Sequence, residues 1–269
     1  MTSPLFKRTF LRIALAFLAL TLSTLGLALE PLVKAPQIDK PMRVIFVGNS
    51  YFYYNNSLHN HVSRLLSSSD PAFEKRIEFK SATIGGAIAA HHNLDYLTKP
   101  GQIGVKQSFE LLILQGGSNE GLSEKNRAGY RQTVLAAKTL LEQRGIKLAL
   151  YMPHAYVAPN THVHPDNLKL TADMLVSVGN EVNALVIPVG LAFEEAYRQR
   201  PSLQLHNQVD GSHPSLIGTY LAACTVLASV YGISPVGNSY DYYGAIDRET
   251  ASFLQKVAQE TVSRFNAGR

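Results

Sequence analysis

Tryptophan is missing from this chain, and cysteine occurs once, as Cys224. A single cysteine excludes an internal disulfide framework and any metal centre built on several thiolates. It lies in the apolar run LAACTVLASV, the setting of a buried helical residue rather than a reactive thiol. Charge is sparse too, at 17% of residues, with no block of one sign. Gly/Ser-rich linkers and low-complexity tracts are also lacking, so the 269 residues read as one domain, a size at which a single core is ordinary. The formal net charge of +5 makes no case for nucleic-acid binding. Lys7, Arg8 and Arg12 supply three of those charges before the first acidic residue, Glu30, and the remainder carries only +2.

Those three basic residues introduce an uncharged apolar run from Ile13 to Leu29, and Gly26, Leu27 and Ala28 offer a small-residue exit. A basic start, an apolar middle and a small-residue end are the layout of a secretory signal peptide. The run falls short of the roughly 20 residues that span a bilayer, which makes an uncleaved anchor the lesser reading. The expected organisation is therefore a signal peptide at 1–28, an N-terminal extension at 29–41 and a functional domain at 42–269. The product would be secreted or periplasmic, with no stable membrane insertion.

What the chain does have is an alternation of periods. Short apolar runs occur at 42–47 (MRVIFV), 76–84, 110–115 (ELLILQ), 146–152 and 184–189 (ALVIPV). Helical spacing occupies 59–67, 129–143, 168–182, 216–231 and 248–265. Strands alternating with helices predict parallel βαβ units: an α/β protein, a three-layer α/β/α sandwich on a five-stranded parallel sheet. Ligands of such sheets bind beyond the carboxyl ends of the strands.

One phrase occurs almost twice, VGNSYFYYN at 47–55 and VGNSYDYYG at 236–244. Ser50 follows a buried-strand pattern and precedes a helix, so it is expected at the carboxyl edge of the sheet, facing the crevice. Ser239 follows a helix and the breaker ISP, with no strand to feed it, and reads as a surface turn. Ser50 is the candidate nucleophile. For a base there are nine histidines. His59, His61, His91 and His92 are expected to be solvent-facing or at helix ends. The stretch HVHPD at 162–166 lacks a third or fourth ligand at suitable spacing, so no metal is expected. His213 stands out in VDGSHPS, because Asp210 lies three residues earlier. A carboxylate there reaches Nδ1 across one turn and leaves Nε2 to take a serine proton, although a helix-capping loop accounts for the local spacing equally well.

Together these residues resemble the SGNH hydrolases, the GDSL-like esterase and lipase superfamily. The nucleophile block appears as Gly48-Asn49-Ser50, with Asn49 where the family usually has aspartate. The glycine block appears in SATIGGA, where Gly86 is the better match and Gly85 its neighbour. The third block appears as Gly117-Ser118-Asn119-Glu120, and the last as Asp210-Gly211-Ser212-His213. The match extends over most of residues 42–232, in the family's order, and looks most like a secreted bacterial branch. The resemblance implies the flavodoxin-like SGNH hydrolase fold, with Ser50, Asp210 and His213 catalytic and an oxyanion hole from the Ser50 and Gly86 amides and the Asn119 side chain. The strand before the third block runs into two glycines rather than one, so Gln115 or Ser118 are alternates for that third donor.

The activity implied is ester hydrolysis through an acyl-serine, without cofactor or metal. Tyr51, Phe52, Tyr53 and Tyr54 follow the nucleophile, and such rings either line a sugar- or acyl-binding crevice or pack the first helix. With secretion, this favours removal of O-acetyl groups from a carbohydrate, the partner being a small-molecule or glycan ester and the protein a monomer. The alternatives are a short-chain carboxylesterase, lysophospholipase or thioesterase, an acetyltransferase with the same triad, or a non-catalytic glycan-binding domain.

Overall fold

The computed structural model describes residues 30–268, and the expected signal peptide at 1–28 lies outside them. Among the described residues no helix is long and apolar enough to cross a membrane. Five strands form one parallel sheet: β1 (Arg43–Gly48), β2 (Glu78–Thr83), β3 (Leu111–Gln115), β4 (Lys147–Tyr151) and β5 (Leu185–Ile187). Their order is β2-β1-β3-β4-β5. The order reverses between β1 and β3, and the carboxyl ends of these two strands flank the crevice that such sheets use for ligands.

Each inner strand buries both faces, which is why β1 and β3 read as unbroken apolar runs. Alternate side chains feed two cores. Val44, Phe46, Leu111, Ile113, Ala149 and Tyr151 face one layer, and Ile45, Val47, Leu112, Leu114, Leu148 and Leu150 the other. The first layer holds α2 (Leu58–Ser69), α6 (Val189–Gln199), α7 (Leu216–Tyr231) and α8 (Arg248–Asn266). The second holds α4 (Glu124–Gln143) and α5 (Asn167–Val182). Two single-turn helices complete the set, α1 (Ser50–Tyr53) and α3 (Leu94–Leu97). Helix α7 is buried along nearly its whole length, Cys224 included, so its sequence shows almost no polar face. Residues 30–41 lie across the ends of α5 and α8, where Asn180 bonds the backbone of Glu30 and Leu32, and Asn266 that of Lys34.

Two of the longer helices depart from the sequence expectation. Helix α4 begins five residues before its apolar period does, because Ser123 caps it, accepting from the Asn126 amide at 3.2 Å. Helix α6 was not expected. The strand ends at Ile187, and Pro188 opens a helix that buries Val189, Ala192, Phe193 and Ala196.

Candidate active site

The end of β1 delivers Ser50. Gly48 is squeezed there, since a Cβ would lie 2.6 Å from Gln115 Oε1 on the neighbouring strand. Ser50 is the first residue of α1 rather than part of an open turn, and Asn49 caps that helix by accepting from the Tyr51 amide at 3.1 Å. Asn49 does more than cap. It is 3% exposed. Its amide donates to the carbonyls of Ala87 (3.1 Å) and Gly116 (3.4 Å), and its Oδ1 accepts from Gln115 Nε2 at 2.8 Å. Its backbone N–H returns the bond to Gln115 Oε1 at 3.2 Å. One side chain thus joins the loops that follow β1, β2 and β3.

The loop before α7 delivers Asp210 and His213. His213 Nδ1 donates to Asp210 Oδ2 at 2.9 Å, and His213 Nε2 accepts from Ser50 Oγ at 2.8 Å. Asp210 Oδ1 accepts from the amides of Ser212 (2.7 Å) and His213 (2.9 Å). Burial raises the Asp210 pKa, but the His213 bond and these two amides outweigh it and hold the carboxyl below its ordinary range. Gly211 has φ +60°, and a Cβ there would overlap the Val157 carbonyl. Only glycine fits between Asp210 and the histidine loop.

Neighbouring elements fix that loop. Val157 N–H donates to Gly211 O at 2.9 Å, and Asn160 Nδ2 to Asp210 O at 3.0 Å. His206 Nε2 donates to Ala155 O at 2.9 Å, while its Nδ1 accepts from Tyr197 OH at 2.7 Å. His154 Nε2 donates to Ser212 O at 2.8 Å, and its ring is stacked between Tyr51 and Phe193 at 4.2 Å on either side. From the nucleophile side Asn55, left-handed at φ +52°, donates to the Pro214 carbonyl and to Thr219 Oγ1, both at 2.8 Å. Burial pushes the His206 pKa down to about 4 and that of His154 well below its usual value, so both rings stay neutral in their bonding roles. His61 lies in the first turn of α2, one of its two expected settings, but it is fully buried there, donating to Asn55 O at 2.7 Å.

The expected oxyanion donors lie at the strand ends. Gly86 is exposed with φ +69° after β2, and Gly85 stands beside it, where a Cβ would meet the Tyr53 hydroxyl at 3.3 Å. Among the described residues the amides of Ser50, Gly85 and Gly86 and the side chain of Asn119 donate to no acceptor. Asn119 is exposed, and Ser118 is half-buried with its hydroxyl beside those of Tyr51 and Tyr156. Gln115 is fully buried and its amide is committed to Asn49, so it does not line the crevice. Ser239 is exposed, and its hydroxyl bonds Ser68 at 2.8 Å on the outer side of α2. His162 and His164 are exposed as well, and among the described residues no group of three His, Cys, Asp or Glu side chains is placed to hold a metal. Of the four aromatic residues after the nucleophile, Tyr51 and Phe52 are core. Tyr53 is 41% exposed, and Tyr54 stacks on the His213 ring at 4.1 Å.

No protein-family model and no curated protein matches the sequence. Solved structures do. A DUF4886 family protein from Bacteroides uniformis superposes with a TM-score of 0.61 at 18% identity, covering 84% of this chain and 96% of its own. A candidate SGNH hydrolase from Slackia heliotrinireducens gives 0.57 at 20% identity, covering 70% and 98%. An acetylxylan esterase from Geobacillus stearothermophilus gives 0.56 at 15% identity, covering 74% and 97%. The chain has the SGNH-hydrolase fold. At these identities the likeness speaks for the fold alone, and function resides in the side chains of the site.

Proposed function

We propose that the protein is an SGNH-type serine esterase that removes O-acetyl groups from a carbohydrate. The observation that carries the reading is the hydrogen-bonded line Ser50 Oγ, His213 Nε2, His213 Nδ1, Asp210 Oδ2, with distances of 2.8 and 2.9 Å. Because Asp210 accepts from Nδ1, the proton sits there and Nε2 is free to act as base.

In the proposed cycle Ser50 Oγ attacks the ester carbonyl carbon as its proton passes to His213 Nε2. The tetrahedral oxyanion is held by the Ser50 and Gly86 amides and the Asn119 side chain, which have no competing acceptor among the described residues. The C–O bond to the sugar breaks as His213 returns the proton to the departing alkoxide. Water then attacks the acetyl-serine and gives its proton to His213, and as the intermediate collapses His213 returns that proton to Ser50 Oγ, freeing acetate and the resting serine. Asp210 keeps the imidazole in one tautomer and stabilises the imidazolium without taking its proton.

The carbohydrate assignment is supported by the exposed Tyr53 ring and the Tyr54 ring stacked against His213, flat surfaces of the kind on which sugars pack. One structure of the same fold is also described as an acetylxylan esterase. Export by the N-terminal segment fits a polymeric substrate outside the cytoplasm. The test is acetate release from acetylated xylo-oligosaccharides and from p-nitrophenyl esters of increasing acyl length, each with and without a free sugar acceptor. Acetate from the sugar ester, falling steeply with longer acyl chains, is expected. Preference for long acyl chains would point to a lipid ester, and acetyl appearing on the acceptor to a transferase. Binding of the glycan with no turnover would leave a binding module.

A further inference from the structure

Glu120 is a carboxylate in an unusual place. It is 4% exposed. Among the described residues it has no cationic partner, and the nearby Arg127 guanidinium donates instead to the Gly121 carbonyl at 2.7 Å. Burying an unpaired carboxylate is costly unless backbone donors satisfy it. Here two do. The Gly117 amide, in the loop after β3, donates to Glu120 Oε2, and the Ala89 amide, in the loop after β2, faces the same carboxyl group and draws its pKa down.

The surrounding sequence is shaped to admit this side chain. A Cβ at Gly116 would overlap Glu120 Oε2 and lie 2.7 Å from the Tyr130 ring, and one at Gly117 would lie 2.8 Å from Ile88 Cγ2. The paired glycines after LLILQ therefore let the β3 loop close over the carboxylate while the β2 loop packs against it. Burial raises the pKa of Glu120 and the two amides oppose that shift, as expected for a carboxylate whose only compensation is hydrogen bonding.

We infer that Glu120 is a positioning residue that locks the Gly86 loop to the Asn119 loop, holding both oxyanion donors in register with Ser50. Asn49 binds the same two loops through the carbonyls of Ala87 and Gly116. Glu120 binds them from the other side, through N–H groups, so the two buried side chains clamp the loops in complementary fashion. This role rests on the esterase reading above. It goes beyond it by naming what fixes the oxyanion geometry, for which an error of about 1 Å costs on the order of 10²-fold in rate.

The experiment measures kcat and KM on p-nitrophenyl acetate for the full mature chain and for Ser50→Ala, Asn119→Ala, Glu120→Gln and the Asn119→Ala/Glu120→Gln pair, with Tm alongside. Glutamine keeps the volume but presents an N–H₂ to one of the two donors. Glu120→Gln is expected to lower kcat about 10–10²-fold with KM within about twofold. The pair is expected to be little worse than Asn119→Ala alone, because both changes disable one device. Unchanged kcat, multiplying losses, or a loss matched by the unfolded fraction would overturn the proposal. If Glu120→Gln does not fold, Ala89→Pro removes the β2-loop donor at the first position of a helical turn, where proline is tolerated. The same kcat-only loss there supports the role, and unchanged kcat overturns it. Activity retained by Ser50→Ala would sink the esterase reading itself, and this role with it.

Discussion

Asn49 shows how much one atom decides at this site. An aspartate of the same shape would cap α1 equally well, but it has no N–H to offer the carbonyls of Ala87 and Gly116. Two buried acceptors would then face a carboxylate, and a lost buried bond costs about 1–3 kcal/mol. Asn49→Asp is therefore expected to lower stability by about 3 kcal/mol, a fall in Tm of roughly 6–12 °C for a domain of this size, read by calorimetry. An unchanged Tm would mean the three loops do not depend on this amide. From the sequence, Asn49 reads as a passive departure from the usual aspartate, because its partners are backbone atoms 38 and 67 residues away. The pair Asp210 and His213 was legible for the opposite reason: three residues separate them, and the turn brings them together locally. Within that pair, Asp210→Asn should lower kcat by about 10⁴-fold with little change in Tm, since an amide holds the ring in the wrong tautomer.

At the scale of elements, the loop before α7 depends on glycine. Gly211→Ala asks a left-handed residue to carry a Cβ into the Val157 carbonyl, so the loop must move and His213 with it. Loss of kcat by more than 10²-fold in a variant that still folds is expected, with circular dichroism as the control. The five strands and four of the long helices were legible because buried strands of β-branched and leucine residues and amphipathic helices have different periods, and α7, apolar nearly all round, by a length no strand reaches. Helix α6 was not. Its apolar positions begin two residues after β5 ends, so the run ALVIPVGLAF blurs strand into helix, and Gly190 reads as a breaker. In the structure that glycine gives room for the Pro153 carbonyl, a contact invisible in sequence. The short helix at Ser50 was hidden for a related reason, since one turn is below the length at which periodicity speaks.

On the scale of the whole molecule, the strand order brings the ends of β1, β2 and β3 together, and the loop before α7 brings His213 to Ser50 at that edge. Several histidines support this assembly as neutral, buried hydrogen-bonding groups. For His206 the folded pKa, about 4, lies below the ordinary histidine value near 6.5. Its stabilising contribution is thus present above about pH 6.5 and is lost as pH falls from there through about 4, amounting to about 3 kcal/mol. The urea midpoint is expected to fall across that window, and less steeply in His206→Gln. A flat midpoint would contradict a neutral, buried His206.

The most direct test of the central claim is covalent. The folded protein is treated with a fluorophosphonate probe, which reacts with activated serines, and the labelled peptide is mapped by mass spectrometry. Label on Ser50, abolished by His213→Ala, is expected. Label on Ser239, or none on the folded chain, would contradict the claim.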